Sequence, residues 1–341
     1  MKYFHILAFA LVLLNSCKDD NPVDTSGDKA QYIYFLTDTL NIKSRETETY
    51  YARMDTNGTN RKYLMRLWYG PEKATYSPDG KKVVLDHRTV MNINGTDRRF
   101  FADANGFAWS PNSSYVAHWS YDSLKVTDVN TLETKLVAAE KYFSKAVWAH
   151  DSKTLYYTKR DSSITSIRAD GSERKILLKA VLGSEIDLIA DITASPREDI
   201  ILFTHRNAIT GKAEIGVIKA DGSGRRVTND AGGFIFHNWS PDGRRVLAVK
   251  YIGKTQELCE IDVQSLSIRS YLQFTEKDIL ASSYSPDGTK ILFTLSEKLY
   301  QYGLSYSRIF IMNNNGSQLR SLTSDTLTES TPPERYAGWS K

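Results

Sequence analysis

Four residue pairs in this sequence carry side chains suited to an anion or a metal ion: His87-Arg88, Lys159-Arg160, His205-Arg206 and Lys250-Tyr251. Each closes an apolar run of strand-like composition. Each lies ten and eleven residues beyond a recurring anchor, namely Ser77, Ala149, Ser195 and Ser240. The other two copies of that spacing give Ser120-Tyr121 and Leu295-Ser296. Equal spacing in a repeated unit puts these groups at equivalent corners, as a cationic rim. Such a rim focuses potential and draws an anionic ligand. Arginine adds two-pronged recognition of a carboxylate. Imidazoles on neighbouring loops can share a metal. His237 begins a later apolar run and is expected to open on the same side. The candidate ligand-binding rim is therefore His87, Arg88, Lys159, Arg160, His205, Arg206, His237 and Lys250. Any metal would rest on His87, His205 and His237.

Catalytic signatures are missing from the sequence. No Gly-x-Ser-x-Gly elbow occurs, and no His-Glu-x-x-His or paired-Cys zinc spacing. Gly253-Lys254-Thr255 has Ala248 where a phosphate loop needs its first glycine. No catalytic residue is assigned and no cofactor is expected; manganese or calcium belongs to the alternative reading below.

The elements that position the rim come from internal repetition. One unit recurs: an apolar strand ending in an aromatic residue and Ser, a Pro-Asp-Gly turn, two apolar strands, an Asn-Gly or Asp-Gly turn, and a last strand. Clear copies of the first turn are Ser77-Pro78-Asp79-Gly80, Ser240-Pro241-Asp242-Gly243 and Ser285-Pro286-Asp287-Gly288. Degenerate copies begin at Ser110, Ala149 and Ser195. Pro presets φ, Asp bonds its own backbone and Gly accepts positive φ, so these Asp residues read as turn residues. The second turn falls at Asn57-Gly58, Asn94-Gly95, Asp170-Gly171, Asp221-Gly222 and Asn315-Gly316, with Asn130-Thr131 and Gln264-Ser265 in the same slot. These pairs suit two-residue hairpins of type I′.

Two hairpins per unit make a four-stranded antiparallel blade, and the fold class is an all-β propeller. The N-terminal strands around Tyr32, Tyr50 and Tyr63 lack an anchor, while Trp339-Ser340 is an anchor with no strand after it. Pairing the two partial units closes the ring. Seven blades are expected, with six as the alternative if one degenerate unit collapses. Closure also removes exposed sheet edges. Aromatics between strands, Phe107, Tyr142, Phe143, Phe234 and Phe236, are candidates for the channel mouth.

These units resemble the WD40-like repeats of the TolB propeller family, over residues 31–341. That resemblance implies fold rather than function. TolB carries an additional α/β domain, so its partners are not carried over. Oligogalacturonate lyases, propellers whose histidines hold manganese on one face, are similar in fold and His placement only.

The N-terminus supplies an address. Met1-Lys2 and the apolar run Ile6–Leu14 are too short for a membrane span of about 20 residues and fit a secretory signal. Leu14-Asn15-Ser16-Cys17 resembles a bacterial lipobox, which implies cleavage before Cys17 and lipidation of it. The expected divisions are 1–16 signal peptide, 17–30 lipidated tether and 31–341 propeller. Lys18-Asp19-Asp20 resembles a surface-export signal, so an outer-membrane lipoprotein facing outward is expected, with a periplasm-facing one as the alternative. The formal net charge is only +4 with no long basic block, which disfavours nucleic acid. Cys259 reads as a small core residue. The sequence sets no oligomeric state. The function expected is an envelope-anchored, non-catalytic propeller that binds a protein or glycan partner through its loop face. The alternative is a metal-assisted lyase or hydrolase acting on an acidic oligosaccharide.

Overall fold

The computed structural model describes residues 31–41, 46–67, 74–85, 89–100, 104–160, 163–186, 188–228, 232–299, 304–323 and 334–340. The calls on Cys17, the signal peptide, the tether, His87 and Arg88 lie outside the described residues. Seven four-stranded antiparallel sheets make up the described fold, which has no helix. Six are continuous in sequence, and we number them blades 1 to 6: residues 74–100, 106–138, 143–179, 188–227, 233–275 and 277–321. Blade 7 combines the last strand, Glu334–Trp339, with Tyr32–Asn41, Glu46–Asp55 and Lys62–Leu67. Ile33 pairs with Trp339, and the Tyr32 N–H donates to Ser340 Oγ at 2.7 Å. The innermost strands of successive blades touch all the way round, so this is a seven-bladed propeller ring.

The core is seven apolar slabs, each shared by two adjacent blades. Val246 and Ala248 pack toward blade 4 with Leu202 and Val217, whereas Leu247 and Val249 pack toward blade 6 with Ile291 and Phe293. Side chains alternate across a strand, so a strand buried on both faces must be apolar throughout. That is why the second strand of each unit reads as an unbroken run. Full burial of each such aliphatic contributes about 1.5–3 kcal/mol.

The Pro-Asp-Gly turns behave as their composition requires. The Ser77 hydroxyl donates to Asp79 Oδ1 at 2.7 Å and accepts the Lys82 N–H at 2.9 Å, and Gly80 sits at φ 68°. The equivalent hydrogen bonds from Ser285 and the Thr289 N–H hold the Asp287 carboxyl below its usual range. The second turns differ from the type I′ expectation. Gly58 N–H donates to Asp55 O, Asp55 N–H donates to Thr59 O, and of the turn residues between 55 and 59 only Gly58 has positive φ. This is a three-residue loop, a type I turn closed by a left-handed glycine. Where Gly is missing the loop lengthens by one residue, and the left-handed position passes to Leu132 or Leu266.

A further repeat feature joins the blades. The residue four beyond the second position of each of these turns is basic: Lys62, Arg99, Lys135, Lys175, Arg226, Arg269 and Arg320. Arg99 of blade 1 donates to the Val129 and Asn130 carbonyls of blade 2, both at 2.7 Å. Lys175, Arg226, Arg269 and Arg320 reach the corresponding turn of the next blade in the same way. Lys135 instead lies 3.7 Å from Glu133 and is 68% exposed. The junction it leaves unlatched, between blades 2 and 3, is also where a cavity of about 310 Å³ opens, lined by Lys135 and Arg168 among others.

Candidate functional site on the loop face and channel wall

Each first strand runs toward its Pro-Asp-Gly turn. The loops joining second to third strands, and those joining one blade to the next, therefore emerge together on the opposite face. The predicted rim belongs to this face, and the structure distributes its members unevenly. Arg160 and Arg206 are exposed there. Lys159 donates to Glu140 Oε2 at 2.7 Å, in a network that also takes in Tyr157 and Arg174. Lys250 lies with its ammonium 5.6 Å from the Phe234 ring centre. His205 is enclosed within blade 4, only 2% exposed, with Nε2 3.8 Å from Glu214 Oε2. Burial lowers its pKa, against the Arg206 carbonyl and Glu214, which raise it. His237 lies on the innermost strand of blade 5 and is part-exposed. His205 and His237 thus occupy different layers of the ring. No group of three or more His, Cys, Asp or Glu among the described residues is placed to hold a metal ion.

Sequence reading along the second strands missed the polar groups of the first strands. These groups form an arc across four blades. Lys145 of blade 3 donates to Asp191 Oδ1 of blade 4 at 2.6 Å. The other oxygen, Asp191 Oδ2, accepts the Phe236 N–H of blade 5 at 3.0 Å, and Oδ1 also accepts the Ile192 N–H. Next along the same strand, His237 Nδ1 lies 2.9 Å from Ser282 Oγ of blade 6. These bonds link innermost strands, so they run along the channel wall. Enclosure, and then the Lys145 charge, bring the His237 pKa down to about 4. The signal was available: Lys145 and Asp191 both stand four residues before their anchors, where three other blades have Gly106, Phe236 and Ala281.

The exposed large apolar side chains fall into two sets. Six sit along outer strands, among them Tyr63, Phe100 and Ile176, where single exposed hydrophobics are ordinary. The other eight are Tyr121, Tyr142, Val181, Leu182, Leu188, Ile209, Ile235 and Ile252, all at the loop-face ends of blades 2 to 5. Leu182 is 88% and Ile209 71% exposed. Hydrogen bonds hold these loops together. Ala208 N–H donates to Ser184 O at 3.1 Å, Tyr142 N–H to Tyr121 O, and the Tyr121 and Tyr142 rings meet edge-on at 4.8 Å. Of the aromatics expected at the mouth, Tyr142 is exposed and Phe107 part-buried. Phe143, Phe234 and Phe236 are buried in the slabs, because strand pairing starts earlier than the turn composition suggests.

The ring, its repeat and its closure define a seven-bladed propeller of WD40-like units. No family model matches the chain. The Tol-Pal system protein TolB of Anaeromyxobacter dehalogenans strain 2CP-C is 27% identical over 177 residues, 51% of this chain and 38% of that protein. The same protein from Anaeromyxobacter sp. strain K is 26% identical over the same shares. The chain thus matches well under half the length of these curated relatives. Among solved structures, TolB from Acinetobacter baumannii superposes with a TM-score of 0.53 at 13% identity, covering 90% of this chain and 82% of that one. An oligogalacturonate lyase in complex with manganese gives 0.55 at 15% identity, covering 89% of each chain. At these identities the structural likeness concerns the fold. The chain is a β-propeller similar in fold and in part of its sequence to TolB.

Proposed function

We propose that this protein is a non-catalytic, envelope-anchored propeller that docks a protein partner on its loop face, and that it is held at the outer membrane by lipid on Cys17. The observation that carries the reading is the gathering of eight exposed apolar side chains at one end of blades 2 to 5. Exposed apolar side chains on loops stapled by hydrogen bonds suit a preorganised docking face. The curated relatives are named as proteins of the Tol-Pal system, which is consistent with an envelope assembly. Exposed Arg160 and Arg206 border the same face and would favour an acidic partner.

The test is chemical cross-linking in intact cells of the source bacterium, comparing the wild-type chain with a Leu182→Asp/Ile209→Asp variant. Both side chains are solvent-facing, so folding is expected to be unaffected. The variant should lose the wild-type cross-linked species while keeping its melting temperature. Equal cross-linking by both proteins would refute docking at this face. A globomycin-sensitive shift in mobility, absent in Cys17→Ala, would test the anchor.

A further inference from the structure

We propose that the Lys145–Asp191–His237–Ser282 arc on the channel wall is a binding subsite for a carboxylate, supplied by an acidic side chain or the C-terminus of a protein docked on the loop face. The inference rests on the docking reading above and names the chemistry that reading leaves open.

Comparison of the blades shows that the repeat itself does not impose these groups. Four residues before the other anchors the sequence has Lys73, Gly106, Phe236, Ala281 and Tyr336, so a charged group is not general at this position. At the position of His237, other blades carry Ala74, Phe107, Ala146, Ile192 and Ala337, and blade 6 carries its partner Ser282. A part-buried ion pair on an inner strand adds little net stability. Its placement across two adjacent blades on the channel wall points to use.

The free valences match a carboxylate. The Asp191 carboxylate is filled by Lys145 and two backbone N–H groups. Lys145 spends one of its three donors on Asp191, and its side chain remains 30% exposed. His237 is held at Nδ1 by Ser282, and its Nε2 has no partner among the described residues. When the Ser282 hydroxyl donates to Nδ1, the proton sits on Nε2, and the ring becomes a second donor beside the ammonium. The potential has the right sign as well. After burial, the Lys145 charge is the second cause that lowers the imidazole pKa. An ammonium and a ring N–H on neighbouring inner strands can each donate to an anion, the ammonium through a charge-assisted bond.

The experiment follows histidine side-chain nitrogen resonances in the folded, ¹⁵N-histidine-labelled protein during titration with acetylated, amidated hexaglutamate. Hexaglutamine is the neutral control, and a Gly-Ser hexamer with a free or an amidated C-terminus separates the two carboxylate sources. Hexaglutamate, the free-acid hexamer or both should move the His237 signals saturably, while His118, buried in blade 2, stays in place and reports an intact fold. Lys145→Met should weaken the effect by about tenfold or more, the loss expected for a charge-assisted contact. Ser282→Ala, which frees Nδ1, provides a second variant should Lys145→Met fail to fold, and it should also weaken binding. The proposal is overturned if no carboxylate peptide moves His237, if hexaglutamine moves it equally, or if Lys145→Met binds as the wild type does. Loss of cross-linking in the loop-face variant with no response at His237 would leave docking standing and remove the subsite. A His237 response with cross-linking unchanged would do the reverse.

Discussion

Arg99→Ala should destabilise the ring, whereas Lys135→Ala, the same repeat position one blade on, should not. Arg99 bridges blades 1 and 2 with two 2.7 Å hydrogen bonds to turn carbonyls, and its side chain is 27% exposed. A hydrogen bond from a charged donor contributes about 1.5–3 kcal/mol when well shielded. Partial exposure screens it, and side-chain ordering opposes it. The pair together is therefore worth about 1–2 kcal/mol. For a domain of this size that is a fall in melting temperature of roughly 1.5–3 °C. Among the described residues Lys135 has a single ion pair, with Glu133 at 3.7 Å and both side chains 68% exposed, so its removal should stay within about 0.5 kcal/mol. Arg99→Lys should fall between, since an ammonium at the equivalent site, Lys175, reaches one carbonyl. Calorimetry on the three variants decides. Equal melting temperatures for Arg99→Ala and Lys135→Ala would show that the latches carry no energy.

Three further outcomes are expected. Gly216→Ala in blade 4 would place a Cβ 2.2 Å from the buried Phe203 ring; this overpacking should cost about 1–3 kcal/mol in urea unfolding. His118 is 2% exposed, and burial, then Lys125, lower its pKa from 6.5 to about 4. The unfolded chain therefore binds this proton first, so stability is complete above about pH 6.5 and declines as pH falls toward 4. His118→Gln should flatten the melting-temperature profile across that window, and an unchanged profile would exclude His118 as a contributor. Cys259 is fully buried against the Ala248 carbonyl, so in a Cys17→Ala chain a thiol reagent should label it only after denaturation; labelling of that chain in its native state would contradict the packing.

Much of the architecture was legible because it is written locally and repeated. The Ser-Pro-Asp-Gly turns, the Asn-Gly slots and the unmatched strands at the two ends were enough for seven blades and ring closure. Each is a short-range preference of Pro, Asp or Gly, reinforced by apolar runs that must be covered on both faces. The second-turn geometry was less legible. Asn-Gly suits both a type I′ turn and a type I turn with a left-handed closing glycine, and strand twist chooses between them. The basic latch position was also in the sequence, yet spacing alone gives Lys135 and Arg99 the same role. Only the packing of blade 2 against blade 3 separates them.

The candidate site divides in the same way. The sequence by itself determined that cations and histidines recur at strand ends, because repeat spacing fixes height along a blade. It did not determine depth from the channel axis or the direction in which a side chain leaves its strand. Tertiary structure set His205 inside blade 4 and His237 on the channel wall, although the spacing had drawn both toward one rim. It also brought Lys145, Asp191 and Ser282 beside His237 from three other blades. Successive partners in that arc are 45 or 46 residues apart in the chain, close to one repeat length. Such contacts arise only when blades pack side by side, since a repeat register aligns residues along a blade and ring closure alone sets what faces them across the gap.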